Sequence, residues 1–443
     1  MKIQRDALQL LVRWKNSSDR KPVILQGARQ VGKTWLLKDF GEREFQNVAY
    51  FNFERQTELR QFFETTKNPE RIIENLALVH GRAILPQTTL IILDEIQECN
   101  EALNSLKYFC EEAPGYAIAC AGSLLGVAMS RGASFPVGKV DFITLYPVSF
   151  TEFLAVADQN LFRFAESIDR ITPVPDIFYN PLKEKLKMFY LSGGMPEAIV
   201  ALLEKQDLQI TQEVLQNILN AYTLDFSKHV ETKDIPKIQY IWASLPSQLS
   251  RENKKFIYRT VKSGARAREY EDALQWLVNA GLAYRIFCSS KPYLPLSSYD
   301  VLSAFKVYLP DVGLLRRLSL LDPIAISEGN RLFTEFRGAM TENFILESLV
   351  HQFEGLPRYW RSGNIAEIDF LVQYKNLIIP MEVKSDENIR SKSLSYYRKA
   401  YNPELAVRYS LKNLSFEDGL ISIPLFLADY TAKFIDMAVS KSQ

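Results

Sequence analysis

The amino-acid sequence predicts an α/β fold in which a parallel sheet flanked by helices is followed by a helical region and a second α/β region. Three observations support this prediction. Short apolar segments alternate with helical patterns between residues 7 and 121, as in a parallel sheet with helical crossovers. A glycine-containing segment at residues 27–34 separates a predicted strand from a predicted helix. The chain of 443 residues is 47% hydrophobic, which is enough to fill several domain cores.

Hydrophobic periodicity defines the elements of the first region. The segment Leu90–Leu93 is entirely apolar, as expected for a central parallel strand that is buried on both faces. The other predicted elements are helices at 7–15, 35–40, 71–79 and 103–110, and strands at 22–26, 47–53 and 116–121.

The strand pattern stops after Phe153. Residues 182–222 have a helical pattern that is interrupted at Gly193-Gly194-Met195-Pro196. Helical segments followed by a predicted strand at 281–287 indicate a small winged-helix-like unit, and Pro292 and Pro295 mark a loop after it. A new α/β pattern begins at Phe305.

Composition and charge narrow the classes of protein. The net charge of +1 predicts no overall attraction to nucleic acid, so a DNA-binding face would have to be a local basic patch. The four cysteines lack zinc-ligand spacing and the three histidines are scattered, so we expect reduced thiols and no metal cluster of these residues. Neither a signal-peptide core nor a membrane-spanning segment is found in the sequence. We therefore expect a cytoplasmic protein without a membrane partner.

Residues 27–34 match the complete G-x-x-x-x-G-K-[ST] phosphate-loop pattern, which predicts ATP or GTP binding. Glycine allows backbone N–H groups to approach phosphate, and the following helix presents its positive end to the anion. Lys33 is expected to reach the β- and γ-phosphate oxygens, and the Thr34 hydroxyl to ligate Mg²⁺. The predicted nucleotide-binding residues are Gly27, Ala28, Arg29, Gln30, Val31, Gly32, Lys33, Thr34 and Trp35.

Two further segments suggest hydrolysis of the nucleotide. The strand at 90–93 ends in Asp94-Glu95; Asp94 is placed to hold Mg²⁺, and Glu95 to polarise the attacking water. The alternative is a strand that ends in a solvated acidic turn. Ser123 follows the strand at 116–121 and is a candidate γ-phosphate sensor, although a Gly-Ser turn after a strand is also common in structural loops.

With these motifs, the chain resembles the AAA+ ATPases of the bacterial and archaeal group that carry a nuclease-like C-terminal domain of unassigned function. The resemblance covers nearly the whole chain. It rests on Gly27–Thr34, Leu93–Gln97, Gly122-Ser123, Leu145–Leu154, Gly193–Glu197, Lys306–Leu315 and Glu342-Asn343.

The resemblance implies ATP and Mg²⁺ as cofactors, ATP hydrolysis and a possible homo-oligomer. It also implies that Pro196 at the start of the lid packs near the nucleotide base, whereas a plain helix-breaking turn is the alternative. Relatives carry Gly-Arg where this chain has Gly138-Lys139, so the arginine finger is not assigned; Arg131 is a weak substitute. The predicted domains are a P-loop ATPase core at 1–155, a helical lid at 156–235, a winged-helix-like unit at 236–300 and a nuclease-like domain at 301–443.

The C-terminal region contains a second group of charged residues. Asp369 lies in one predicted strand, and Glu382 and Lys384 share one face of the next, because residues i and i+2 of a strand point the same way. In a hairpin these residues would form a Mg²⁺ site for phosphodiester cleavage, and Glu342 on a preceding helix could complete it. The pattern resembles the PD-(D/E)xK nuclease core, a restriction-endonuclease-like fold; a polar strand face is the alternative.

Basic residues in two segments are candidate DNA contacts. The first segment contains Lys254, Lys255, Arg259, Lys262, Arg266 and Arg268. The second contains Lys384, Arg390, Lys392, Arg398 and Arg408, with Tyr396, Tyr397 and Tyr401 between them. In both segments the alternative is an ordinary solvated surface.

The sequence thus leads to one main hypothesis about function and two alternatives. The main hypothesis is an AAA+ ATPase that couples its nucleotide state to a DNA-directed nuclease-like domain. The first alternative is a nucleotide-dependent switch or scaffold whose C-terminal domain binds DNA or protein without cleavage. A chaperone-like ring is a weaker third possibility, since no pore-loop signature is found in the sequence.

Overall fold

The computed structural model describes residues 1–123, 136–251, 254–328, 334–363, 365–385 and 392–442. Two compact units contain these residues. The N-terminal unit comprises Gln4–Tyr146 with Asn279–Leu282, and the C-terminal unit comprises Met1–Ile3, Pro147–Val278 and Ala283–Gln443.

The N-terminal unit is built on a five-stranded parallel sheet with the strand order β2-β3-β4-β1-β5. The strands are β1 Val23–Gln26, β2 Asn47–Asn52, β3 Thr89–Asp94, β4 Ala117–Gly122 and β5 Asp141–Thr144. The helices are α1 Ala7–Lys15, α2 Lys33–Glu44, α3 Arg60–Glu64, α4 Pro69–His80 and α5 Asn100–Glu112, with 3₁₀ turns at Thr57–Leu59 and Ile96–Glu98. The α/β prediction with a parallel sheet is therefore confirmed for this region.

Two elements of this unit were missed from the sequence, β5 and α3. β5 is a four-residue strand at the edge of the sheet, and only Ile143 of its residues is buried. Such a strand has too little apolar alternation to be recognised. α3 is five residues long, which is shorter than a periodic pattern needs.

A buried apolar cluster stabilises the outer half of this sheet. Strand residues such as Phe51 and Leu93 pack against Phe63 of α3, Leu76 of α4 and Leu103 of α5. Parallel strands are covered on both faces, so the polar groups at their carboxyl ends are the parts of the strands left to meet a ligand.

The C-terminal unit begins with helices. They are α6 Phe150–Ala157, α7 Gln159–Ser167, α8 Asp176–Ser192, α9 Pro196–Glu204, α10 Leu208–His229, α11 Ile235–Leu249, α12 Tyr258–Val261 and α13 Ala267–Asn279. The side chain of Ser149 accepts a hydrogen bond from the Glu152 N–H, and the Glu152 carboxylate accepts one from the Ser149 N–H. This capping box fixes the start of α6.

The same unit contains a mixed eight-stranded sheet in the order β12-β13-β11-β10-β9-β8-β6-β7. Its strands are β6 Tyr284–Ser289, β7 Asp300–Tyr308, β8 Arg358–Ser362, β9 Ala366–Tyr374, β10 Leu377–Val383, β11 Ala406–Ser410, β12 Ser415–Glu417 and β13 Leu420–Pro424. The remaining helices are α14 Val312–Leu318, α15 Pro323–Glu328, α16 Thr334–Gln352, α17 Lys392–Tyr401 and α18 Thr431–Ser442.

The sheet of the C-terminal unit bears on two sequence expectations. β9 and β10 pair antiparallel, with Met381 opposite Phe370, as the expected hairpin requires. The predicted domain boundary after residue 300 falls at the first residue of β7 and separates this strand from β6, although the two strands pair with each other and extend the same sheet. A winged-helix-like unit and a nuclease-like domain remain predictions.

None of the helices in the described part of the chain has both the length and the apolar character needed to cross a bilayer.

Candidate functional site

The phosphate-loop motif lies between the end of β1 and the start of α2, as predicted. Its backbone is left-handed at Gln30 and Gly32, with φ angles of 65° and 95°. Alternation between left- and right-handed residues turns successive N–H groups toward one point, which creates a concave binding surface for anions. The N-terminus of the twelve-residue helix α2 adds its positive dipole end to this surface.

Gly27 is required by the geometry of this loop. Its φ is 146°, and a Cβ atom there would lie 2.1 Å from the carbonyl oxygen of Leu145. That carbonyl belongs to the backbone after β5 and cannot rotate aside. The loop therefore tolerates only glycine at this position.

We expect Gly27→Ala to lower the free energy of unfolding by about 2–4 kcal/mol, since it adds overpacking to backbone strain. Gly81→Ala is the matched control: it has a φ of 74° but no atom within 4 Å of the added Cβ, so strain of about 1 kcal/mol is expected. Urea denaturation of both variants measures the difference. Equal destabilisation would contradict the steric argument.

Lys33 is buried and lies inside the loop. Its Nζ donates hydrogen bonds to the carbonyl oxygens of Gly27 at 2.9 Å and Ala28 at 2.7 Å. Burial lowers the pKa of Lys33 to about 8, although Glu95 and Asp94 act in the opposite direction. The ammonium is thus tethered by the loop that would hold the phosphates.

Thr34 and Asp94 face each other as the predicted Mg²⁺ ligands. The Thr34 hydroxyl donates to the Asp94 carboxylate, with Oγ1 3.1 Å from each oxygen. Asp94 is 3% exposed and also accepts hydrogen bonds from the Tyr50 hydroxyl at 2.7 Å and the Asn52 amide at 3.1 Å. Tyr50 and Asn52 were missed from the sequence; the available signal was that β2 carries polar residues where it ends, in line with the end of the next strand.

Glu95 and Ser123 are brought together with Arg29 of the loop. The Glu95 carboxylate accepts hydrogen bonds from the Gln97 amide at 2.6 Å and from the Ser123 hydroxyl at 3.4 Å. The Ser123 oxygen in turn accepts one from Arg29 Nε at 3.3 Å. Glu95 has a φ of 51°, so the chain turns sharply as it leaves β3. A carboxylate, a hydroxyl and a guanidinium therefore converge beside the loop.

Arg5 is a structural support of the loop that was not recognised from the sequence. It is buried, and its guanidinium donates to the carbonyl oxygens of Val31 at 2.9 Å and Tyr146 at 2.7 Å. These bonds join the loop to the segment after β5. No periodic pattern distinguishes this arginine from a surface residue.

The remaining residues predicted for the nucleotide site lie on α2, at the start of α9 and before β5. Trp35 is 43% exposed on α2. Pro196 begins α9 in the C-terminal unit, and its contact with a nucleotide base remains a prediction. Lys139 is exposed in part and pairs with Glu111 at 2.8 Å. Arg131 lies outside the described residues.

The oxygen ligands of Thr34 and Asp94 suit Mg²⁺, which binds proteins through one or two carboxylates and takes its other ligands from water and phosphate. Within the described ranges, no three Asp, Glu, His or Cys side chains are grouped so that they could hold a metal ion by themselves. A cation at Asp94 would therefore depend on bound nucleotide for part of its coordination.

Comparison with protein families agrees with this geometry. Residues 19–154 match the family described as AAA domain. We refer to this part of the chain as the AAA domain, after the family that it matches. Residues 183–325 and 337–427 match two families described as domains of unknown function, DUF8612 and DUF4143. No curated protein matches the sequence.

Solved structures show only distant likeness. The Walker-type ATPase of Pyrococcus abyssi is 14% identical, with a TM-score of 0.45 over 72% of this chain and 96% of that one. The RuvB Holliday junction branch migration motor of Thermotoga maritima is 13% identical, with a TM-score of 0.30 over 64% and 90%. The Orc1 protein of Aeropyrum pernix, solved in complex with DNA, is 13% identical, with a TM-score of 0.28 over 72% and 91%. These values are too low to transfer a function to the protein.

Outside the AAA domain, Glu342 is the centre of a buried ionic cluster in the C-terminal unit. Its carboxylate pairs with Lys254 and with Lys306, the latter at 3.1 Å, and accepts a hydrogen bond from the Tyr308 hydroxyl. Burial alone would raise the pKa of Glu342, but Lys254 and Lys306 outweigh it and hold the pKa below its usual range. Glu342 is therefore an ionised carboxylate whose negative charge is balanced by Lys254 and Lys306.

Lys306 also pairs with Glu367 of β9, at 2.8 Å. Burial lowers the pKa of Lys306, but the surrounding carboxylates outweigh this and raise it well above its usual value. Asp369, on the same strand as Glu367, accepts a hydrogen bond from the Val383 N–H at 2.8 Å. Burial and the charge of Glu342 raise the pKa of Asp369.

Glu382 of β10 and Lys384, the residue that follows the strand, form a second ionic group. Lys384 Nζ lies 3.3 Å from Glu382 Oε1, and Arg408 Nε lies 3.6 Å from Glu382 Oε2. Glu382 is buried, whereas Lys384 is partly exposed. Glu342, Asp369 and Glu382 thus lie on α16, β9 and β10, and Lys384 follows β10 directly. Glu342 and Glu382, however, face positively charged side chains of the protein itself.

Several motifs of the C-terminal unit meet at Asp311. The Asp311 carboxylate accepts hydrogen bonds from the N–H groups of Gly194 and Leu314, and the Val148 N–H donates to the Gly194 carbonyl at 2.7 Å. Burial raises the pKa of Asp311 to about 6. This node fixes the backbone immediately before α9, which begins at Pro196.

Proposed function

We propose that the protein is a Mg²⁺-dependent ATPase whose AAA domain switches the C-terminal unit between nucleotide-dependent states. The observation that carries the proposal is the convergence of Lys33, Thr34, Asp94 and Glu95 around the phosphate loop. Each of these residue types serves one step of nucleotide hydrolysis.

In this proposal, the loop N–H groups and the Lys33 ammonium bind the β- and γ-phosphates and neutralise charge that develops during transfer. Thr34 and Asp94 would hold Mg²⁺, which would offset phosphate charge when bound. Glu95 orients and deprotonates the attacking water. Ser123, between Arg29 and Glu95, reports the presence of the γ-phosphate.

Glu95→Gln tests the assignment of the general base. The amide keeps the shape of the side chain but cannot accept the water proton, so we expect ATP turnover to fall about 10²–10⁴-fold while ATP binding is kept. Glu98→Gln is the control, because Glu98 lies in the same 3₁₀ turn and pairs with Arg60 instead. Phosphate release and binding of a fluorescent ATP analogue are measured in parallel. Unchanged turnover in Glu95→Gln would remove Glu95 from the mechanism.

For the C-terminal unit, we propose that it binds its target without cleaving it at Asp369. The supporting observation is that Lys254 and Lys306 neutralise Glu342, and that Lys384 and Arg408 face Glu382. A catalytic metal requires uncompensated carboxylates aimed at one point. The DNA-directed nuclease is the competing function, and it rests on the sequence pattern of Asp369, Glu382 and Lys384.

We propose DNA as the target because exposed basic residues cluster near α12 and α13. They are Arg259, Lys262, Arg266 and Arg268. ATPase rates with and without single-stranded, duplex and branched DNA test the link, and binding should weaken steeply with salt. Cleavage of any of these DNAs with Mg²⁺ or Mn²⁺, lost in Asp369→Ala, would favour the nuclease. Light scattering with and without ATP tests the proposed homo-oligomer.

A further inference from the structure

The carboxylate of Asp94 is held from two sides. On one side is Thr34 of the phosphate loop, and on the other are two side chains from the end of β2. Asn52 lies directly opposite Asp94 in the register of the parallel strands β2 and β3. The hydroxyl of Tyr50 and the amide of Asn52 both donate to the same oxygen, Oδ2.

The orientation of the Asn52 amide is set by the backbone. Its Oδ1 accepts hydrogen bonds from the N–H groups of Glu54 at 3.1 Å and Arg55 at 2.9 Å. Because the oxygen is committed to this turn, the Nδ2 group must face Asp94, 3.1 Å away, and the Tyr50 hydroxyl, 3.3 Å away. Asn52 is buried as well, so its side chain has one available direction.

Tyr50 is fixed through its ring and remains a donor. Lys38 of α2 places its Nζ 3.7 Å from the centre of the Tyr50 ring, a cation–π contact. An ionised carboxylate can only accept a hydrogen bond, so the Tyr50 hydroxyl is the donor in its 2.7 Å contact with Asp94. Both β2 donors are therefore held in place before a nucleotide arrives.

We infer that Tyr50 and Asn52 are positioning residues of the Mg²⁺–nucleotide site, which orient Asp94 and thereby set the affinity for the divalent cation. The inference rests on the proposed function. Both β2 donors bind Oδ2, whereas the Thr34 hydroxyl lies 3.1 Å from either oxygen, so Oδ1 is the oxygen of Asp94 to which β2 donates no hydrogen bond. Hydrogen-bond partners of a metal-binding carboxylate typically change metal affinity by about 10–100-fold.

Tyr50→Phe and Asn52→Leu test this inference. Tyr50→Phe removes one hydrogen bond but keeps the ring beneath Lys38, so the Mg²⁺ concentration for half-maximal binding of a fluorescent ATP analogue should rise about tenfold. Asn52→Leu removes the amide donor at a similar volume and adds no charge, and a rise of about 10–100-fold is expected. Affinity for the analogue in EDTA should be unchanged in both variants, because the phosphate loop itself is intact.

Tyr116→Phe is the control, since Tyr116 precedes β4 at the amino end of the sheet, opposite the end that carries Asp94. Mn²⁺ binding with ATP, followed by electron paramagnetic resonance, gives a readout independent of turnover. If a variant loses affinity for the ATP analogue equally in EDTA and in Mg²⁺, the substituted residue has only a structural role, and the inference is overturned. The inference is also overturned if Asp94→Asn changes the Mg²⁺ concentration for half-maximal binding of the analogue but neither variant at Tyr50 or Asn52 does. If Asp94→Asn itself has no effect, the proposed metal site fails, and the inference with it.

Discussion

Lys33→Ala is expected to lower kcat/KM for Mg²⁺–ATP by at least about 100-fold, equivalent to about 2.7 kcal/mol of transition-state stabilisation. The reason is that Lys33 supplies the buried ammonium of the phosphate loop, where a charge acts in low dielectric. Lys67→Ala is a matched control, because that lysine pairs with Glu101 on the surface of the same domain. Steady-state assays of phosphate release give kcat/KM for both variants. Retention of turnover by Lys33→Ala would refute ATP hydrolysis at this loop.

The pKa of Lys33 gives this prediction a pH dependence. Burial lowers the pKa to about 8 in the free protein, so the side chain loses its charge as the pH rises through 8. Only the charged form attracts a triphosphate, so above pH 8 binding must take up a proton. Apparent ATP affinity should therefore decline from pH 7 to pH 9, approaching tenfold per pH unit at the upper end. Equilibrium titrations at three pH values measure the decline, and the residual binding of Lys33→Ala should lack it.

Lys306→Met is expected to lower the free energy of unfolding by about 3–5 kcal/mol, since it leaves Glu342 and Glu367 without their shared partner. Methionine fills a similar volume, so loss of charge rather than a cavity causes the effect. The double variant Lys306→Met/Glu342→Gln should recover more than half of the loss, because it removes the buried charge. Chemical denaturation measures the free energy of unfolding of the unmodified protein, the single variant and the double variant. A double variant as unstable as the single one would show that packing, not charge, is the cause.

The same variants separate the two functions proposed for the C-terminal unit. If the carboxylates form a cation site once Lys306 is gone, Mn²⁺ should stabilise Lys306→Met by about 2.7 kcal/mol at 100 times its dissociation constant. If the cluster is purely ionic, Mn²⁺ should leave both the variant and the unmodified protein unchanged. Stabilisation of the unmodified protein by Mn²⁺ would contradict binding without cleavage, because its carboxylates would then hold a metal with Lys306 still in place.

The sequence predicted the AAA domain well because its signals are local. The phosphate loop is contiguous, and Asp94 and Ser123 follow apolar strands whose carboxyl ends must meet at one edge of a parallel sheet. Tyr50, Asn52 and Arg5 were missed, because their roles depend on which strand lies beside which and on a contact with the loop backbone. Sequence spacing does not contain that information.

The C-terminal cluster shows the same limit more clearly. The positions of Glu342, Asp369 and Glu382 on a helix and two strands were foreseen, and so was the hairpin, whereas Lys384 follows the second strand instead of lying in it. Lys306 was noticed only as part of a motif. It comes from a strand far earlier in the chain, and its pairing with Glu342 is visible only in three dimensions. Such partners decide whether an acidic group is a metal site or an ionic core.

The place of β6 in the large sheet has a consequence for synthesis on the ribosome. β6 pairs with β8 through Cys288 and Tyr359, so its inner partner emerges only after residue 359. All five strands of the AAA domain lie before residue 145 and can pair long before. At a rate of synthesis of about 5–20 residues per second, one edge of the β6–β7 hairpin stays unpaired for on the order of several seconds. During that interval the unpaired edge of β6 is open to pairing with another chain or to binding by a chaperone.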